Sequence, residues 1–231
     1  QTFSYDGIMT LDIGGNADSG YEVGQRSDGK IVVAGFTEIP MSTRSMLIVR
    51  LEENGLLDNT FGTNGYVQID FGLGGNEATE IHFRGDKVLI SGSTTGSFGP
   101  EMALVQLNDD GSLDTDFGTN GMTSFSMLPT ESTSSSSLKT PDGKIVLVGT
   151  VGAVSSSDFA IVRREGDGSA DSGFGTAGGT RTDFNGDFDS ASEIAMQEDG
   201  LFVVAGRTFD GTEFDFALAR YISGINIGIG E

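Results

Sequence analysis

Asn108-Asp109-Asp110-Gly111-Ser112-Leu113-Asp114-Thr115-Asp116 sets several oxygen donors around one glycine turn, an arrangement that suits hard cations such as calcium. Asp110, Asp114 and Asp116 are its candidate ligands. The stretch lacks the bidentate Glu that closes an EF-hand loop. Glu165-Gly166-Asp167-Gly168-Ser169-Ala170-Asp171 is a poorer equivalent, and Glu53-Asn54-Gly55 poorer still. The blander alternative is an Asx-type turn in which Asp110 and Asp114 accept backbone N–H groups. His82 is the only imidazole and lies between Ile81 and Phe83 in an expected strand, so a catalytic triad or multi-His metal site would have to be built around it. Gly72-Leu73-Gly74-Gly75 follows a strand but precedes no helix, which makes it a turn rather than a phosphate cradle. With 34 acidic residues the chain has the material for a carboxylate pair about 5–9.5 Å apart, as glycoside hydrolysis needs, but spacing singles out no pair.

The elements that must position these groups come from an internal repeat. Gly35, Gly92, Gly149 and Gly206 each close an apolar run and stand 57 residues apart. Asp-Gly-Lys precedes the run at 28–30 and 142–144, with Gly85-Asp86-Lys87 and Asp199-Gly200-Leu201 in its place elsewhere. A second apolar run follows in each unit, beginning at Met46, Met102, Phe159 and Phe216. Leu57-Asp58-Asn59-Thr60-Phe61-Gly62-Thr63-Asn64-Gly65 is nearly repeated from Leu113 to Gly121, and in degraded form from Ala170 to Gly178. Short strands are expected after these turns, at residues 8–13, 66–71, 122–127 and 179–184. Asp-Gly and Asn-Gly supply the positive φ that tight hairpins need, and no helix-length amphipathic window appears. The two central runs of each unit are continuously apolar, which calls for sheets covered on both faces. The sequence therefore predicts an all-β, four-bladed β-propeller of four-stranded repeats of 57 residues. It spans 1–231 as one domain, with units at about 7–64, 65–120, 121–177 and 178–222 and a tail at 223–231. The register also turns the serine-rich run at 132–137, by composition a linker, into strand at 135–138.

Residues that vary together between units suggest how the blades close. Arg50, Gln106, Arg163 and Arg220 end the last apolar run, while Asp70, Ser126, Asp183 and Asp12 sit in the short strands. Assigning each short strand to the preceding blade pairs Arg50 with Asp70, Gln106 with Ser126, Arg163 with Asp183 and Arg220 with Asp12, so charge meets charge. The N-terminal strand at 8–13 would then complete the C-terminal blade. A charge repeated once per blade reads as structural. The loops least alike between units, 36–45, 93–101, 150–158 and 207–215, should share one rim, where Arg44, Phe98, Arg207 and Phe209 are the candidate ligand contacts.

Composition excludes other classes. The chain has 231 residues, 36 Gly, 4 Pro, no Cys and a formal charge of −21. Disulfides and thiolate metal sites are impossible, and the acidity argues against nucleic acid as a partner. No apolar run nears the ~18 residues of a membrane helix.

The combination G-S-L-D-x-x-F-G-x-x-G at 111–121, followed by D-G-K-I-V-x-x-G and F-A-[LI]-x-R, resembles the delta-60 repeat family of bacterial surface proteins. The resemblance covers nearly the whole chain. It implies a propeller fold and secretion and brings no catalytic residues. The ending at 222–228 is similar to segments that lead into a C-terminal sorting domain in related secreted proteins. The expectation is a secreted or cell-surface binding or structural module whose partner is an unknown protein or glycan. It would be monomeric, with a strand-swapped dimer as alternative and a polysaccharide-acting enzyme as the competing function.

Overall fold

The computed structural model describes residues 3–39, 43–127, 131–153, 156–184 and 188–222. The expected tail at 223–231 lies outside them. Among the described residues the fold is all-β, in four antiparallel sheets. The first is β1 (Asp18–Gln25), β2 (Ile31–Ile39), β3 (Thr43–Leu51) and β4 (Tyr66–Ile69), hydrogen-bonded in that order. The second runs β5 (Glu77–Arg84), β6 (Lys87–Gly96), β7 (Gly99–Leu107) and β8 (Met122–Phe125). The third runs β9 (Ser132–Lys139), β10 (Ile145–Ala153), β11 (Ser156–Arg164) and β12 (Gly179–Thr182). The fourth has β13 (Asp189–Met196), β14 (Phe202–Phe209) and β15 (Phe214–Tyr221). The serine-rich run is thus strand β9, as the register required. By packing, the chain divides into two compact units, Gln1–Ser97 with Leu104–Met122 and Phe98–Ala103 with Thr123–Glu231.

The 57-residue glycine spacing has a steric cause. Each of these glycines lies where the preceding strand bulges, with register breaks at Gly20/Glu22, Ala78/Glu80, Val148/Gly149 and Ala191/Glu193. A Cβ on Gly149 would run into the Thr133 carbonyl oxygen, and the other three would meet those of Ser19, Glu77 and Ser190. The bulge presses one backbone onto the next, so no side chain fits. The turn before each short strand places Asn64, Asn120 and Ala177 at φ of 54°, 53° and 53°. Asn tolerates that region and Ala does not, which marks the third copy as the degraded one.

The short strands join the preceding blade as expected: Met46 pairs with Ile69 and Phe159 with Thr182. The N-terminal strand does not form. Residues 8–12 adopt no strand, and Ile13 with Met9 and Leu11 packs on Leu47, Val49 and Leu51 of the first sheet. Alternate apolar residues here bury against that open apolar face rather than complete a ladder. Sheet four accordingly has three strands among the described residues. In sheets three and four Val148, Phe159 and Ile161 pack with Ala191, Phe202, Val204 and Tyr221 into one core cluster. The far face of β15 stays open: Phe216 is 78% exposed, where its counterpart Phe159 is fully buried.

Candidate functional site

One ionic cluster recurs in three repeats. Lys30 Nζ donates to Asp58 Oδ2 at 2.7 Å, Lys87 to Asp114 at 2.6 Å and Lys144 to Asp171 at 2.7 Å. The same carboxylates take the residue eight positions earlier: Arg50 Nε and Arg163 Nε each at 2.6 Å, and Gln106 in the second repeat. Arg50 and Arg163 also lie over Phe61 and Phe174, with 4.6 and 4.7 Å to the ring centroids. Lysine and aspartate, with arginine over phenylalanine in the first and third copies and Gln106 in the second, therefore clamp the hairpin after these three apolar runs. Burial pushes the Asp58 carboxyl up, but Lys30, Thr60 and Arg50 outweigh it and hold it far below the usual range. Lys87 and Gln106 lower Asp114 against the opposing effect of burial.

These contacts correct two expectations. Arg50 and Arg163 do not pair with Asp70 and Asp183. Asp70 Oδ1 instead accepts the Gly72 N–H at 2.7 Å and Asn76 Nδ2 at 3.1 Å. Asp12 accepts the Gly15 N–H, and Arg220 is exposed. The local carboxylate of the Leu-Asp turn reaches each arginine first, because a hairpin brings residues i and i+8 face to face. Nor do Asp110, Asp114 and Asp116 form a cluster. Asp110 closes an Asx turn on the Ser112 N–H at 2.9 Å, Asp114 is committed to Lys87, and Asp116 is exposed. His82 sits in β5 opposite Leu89.

Of the four expected ligand contacts, two meet. Arg207 lies 4.3 Å from the centroid of Phe214, and Phe209 packs on the same ring at 5.1 Å. Arg44 is held by Glu77 and stacks over Phe36 at 4.0 Å. Phe98 is 86% exposed.

Among the described residues two arrangements occur once. The first is a cavity of about 510 Å³ lined by Phe125, Met127, Val151, Val162, Arg164 and Arg181, with the hydroxyl residues Ser126, Thr176 and Thr180. Arg164 lies 3.4 Å over the Phe125 ring, and its Nε is buried with no hydrogen-bond partner. Burial alone pulls its guanidinium down to about 10, so it remains a cation at neutral pH. Leu51, Leu107 and Tyr221 hold the equivalent position in the other repeats. That break in an apolar column was the available signal for Arg164, and the repeat reading passed over it. The second is the trio Asp158, Asp183 and Asp189, whose carboxylate oxygens lie within 4.8 Å of one another.

A family model described as a domain of unknown function (DUF5122) beta-propeller matches residues 26–61, 86–117 and 140–174. Each match runs from the lysine turn to the phenylalanine of one ionic cluster. With four repeated antiparallel sheets, the chain is a β-propeller repeat protein, each sheet a propeller-type blade. No curated protein matches the chain.

Proposed function

We propose that this chain is a secreted or cell-surface binding module that takes a carboxylate, as carried by an acidic saccharide, in the cavity at Arg164. The observation that carries this is the buried Arg164 Nε without an acceptor, in a cavity lined by both apolar walls and hydroxyls. A desolvated guanidinium gains most from a planar bidentate anion. Sugar rings present apolar faces and hydroxyl edges, which match Val151 and Val162 on one side and Ser126, Thr176 and Thr180 on the other. The extracellular address rests on the resemblance to bacterial surface proteins, and cell fractionation of the native protein checks it. Binding is favoured over cleavage because none of the clustered carboxylates lines the cavity, and Asp158 and Asp189 are closed to solvent.

The test is an array of uronic-acid and neutral glycans beside acidic peptides. Signal is expected on the uronic acids and should fall by about tenfold or more in Arg164→Leu, which restores the residue type of the other repeats. Added salt should strengthen capture, because a net charge of −21 repels anions at distances beyond about one Debye length. Uniform negatives, or equal binding by the variant, would overturn the proposal, and signal confined to peptides would replace the ligand class.

A further inference from the structure

Asp158 comes from β11, Asp183 directly follows β12, and Asp189 starts β13. Donors on one calcium at about 2.3–2.6 Å can be no more than about 5 Å apart, and this trio meets that limit at 4.8 Å. Arg181 Nε lies 3.2 Å from Asp158 Oδ2, on a side chain that is mostly exposed.

The second observation is an orphaned oxygen. Asp189 is fully buried, and while its Oδ2 accepts the Phe184 N–H at 2.8 Å, its Oδ1 has no partner. Thr208, opposite Asp189 across β13 and β14, has a buried hydroxyl with no partner either. At the start of β1 the equivalent residue Asp18 repeats this arrangement, its Oδ2 accepting the Ile13 N–H at 2.7 Å and its Oδ1 buried without a partner. The first repeat offers a neutral comparison. There Asn76 is neutral and fully used, Nδ2 donating to the Arg44 carbonyl and Oδ1 accepting from Thr94 at 2.6 Å. In the second repeat the position is Ser132, whose Oγ accepts the Met127 N–H. The equivalents of the trio are Ser45, Asp70 and Asn76 in the first repeat and Glu101, Ser126 and Ser132 in the second. Asn76 and Ser132 do the structural work without a charge, and among the described residues only Asp189, of the two aspartates with such an unpaired oxygen, stands in a group of three acids.

We propose that Asp158, Asp183 and Asp189 form a binding site for a divalent cation, with calcium the best match to hard oxygen donors at this spacing. It is distinct from the Asn108–Asp116 turn and does not depend on the cavity at Arg164. An ion here would bridge the third and fourth sheets through β11 and β13, which already share a core.

The experiment uses the full chain, stripped with chelator and titrated with calcium chloride by calorimetry and with terbium chloride by luminescence, with Tm followed in parallel. Wild type should bind one ion and gain about 5 °C in Tm at a hundredfold excess over Kd. Asp189→Asn should abolish that gain. Asp183→Asn, at an exposed position, keeps the test open if the first variant does not fold, and should weaken binding by about tenfold or more. Asp110→Asn should leave binding unchanged. Absence of a calcium effect at millimolar concentrations overturns the proposal, as does undiminished affinity in both Asp183→Asn and Asp189→Asn. A raised Tm in the metal-free Asp158→Asn protein, with no calcium response in wild type, would assign the relief of charge to a proton instead.

Discussion

Asp171 and Asp158 belong to the same repeat and are both nearly closed to solvent, yet their carboxyls move in opposite directions. Burial pushes Asp171 up, but Lys144, the Gly173 N–H and Arg163 outweigh it and bring it down to about 2. Burial also pushes Asp158 up, Arg181 offsets this only in part, and Asp183 and Asp189 add repulsion. Burial is common to both, so the difference lies in the neighbours. Asp171 has a cation supplied by its own blade and repeated at Asp58 and Asp114, whereas Asp158 has like charges supplied by the segment around β12 and β13 and repeated nowhere among the described residues. The repeated charge holds the frame, and the one that occurs once is left with an unmet demand that a ligand can answer.

Changes at repeated positions should cost most. Gly149→Ala places a methyl on the Thr133 carbonyl and should cost about 4 kcal/mol or more, or prevent folding, as read by urea denaturation. A loss under about 1 kcal/mol would show that the bulge relaxes. Asp171→Ala leaves Arg163 buried beside an empty site and should cost about 3 kcal/mol. Asp110→Ala, which loses only an exposed turn contact, should cost well under that.

The pH dependence sharpens the contrast. A carboxyl lowered on folding stabilises the native state above its ordinary value of 3.8, and that contribution fades as pH falls from there toward about 2. The stability gap between wild type and Asp171→Ala should therefore narrow over this window, measured by urea melts at stepped pH. Asp158, raised on folding, has the opposite sign: its contribution is present below 3.8 and is lost as pH rises through its folded value. Metal-free Asp158→Asn should then gain relative to wild type as pH rises toward neutrality. Ala177→Asn is the mildest change. It gives the third turn the residue of Asn64 and Asn120 at a left-handed position and should add about 0.5 kcal/mol, a Tm rise of one or two degrees. No gain would mean that Ala177 is held there by its contacts in the cavity wall.

Much of the frame was legible in the chain. The four glycines, the Asn-Gly turns and the doubled apolar runs fixed strand order and blade membership, because hairpin chemistry and side-chain exclusion act over a few residues. The arginine partners were misjudged for the same reason in reverse. Pairing Arg50 with Asp70 looked across strands, when a nearer acid, Asp58, lay within the hairpin. On the expected rim, Arg207 and Phe209 meet through Phe214.

The sequence by itself determined four sheets and their strand order, products of local spacing. Only the tertiary structure decided that Asp158, Asp183 and Asp189 converge, that Arg164 faces a cavity, and that residues 8–13 cover the first sheet. Contacts within a hairpin follow from register, which periodicity reveals. Contacts between sheets depend on which apolar faces find one another and which charges are carried inward with them, and neither is written in the spacing of a single repeat.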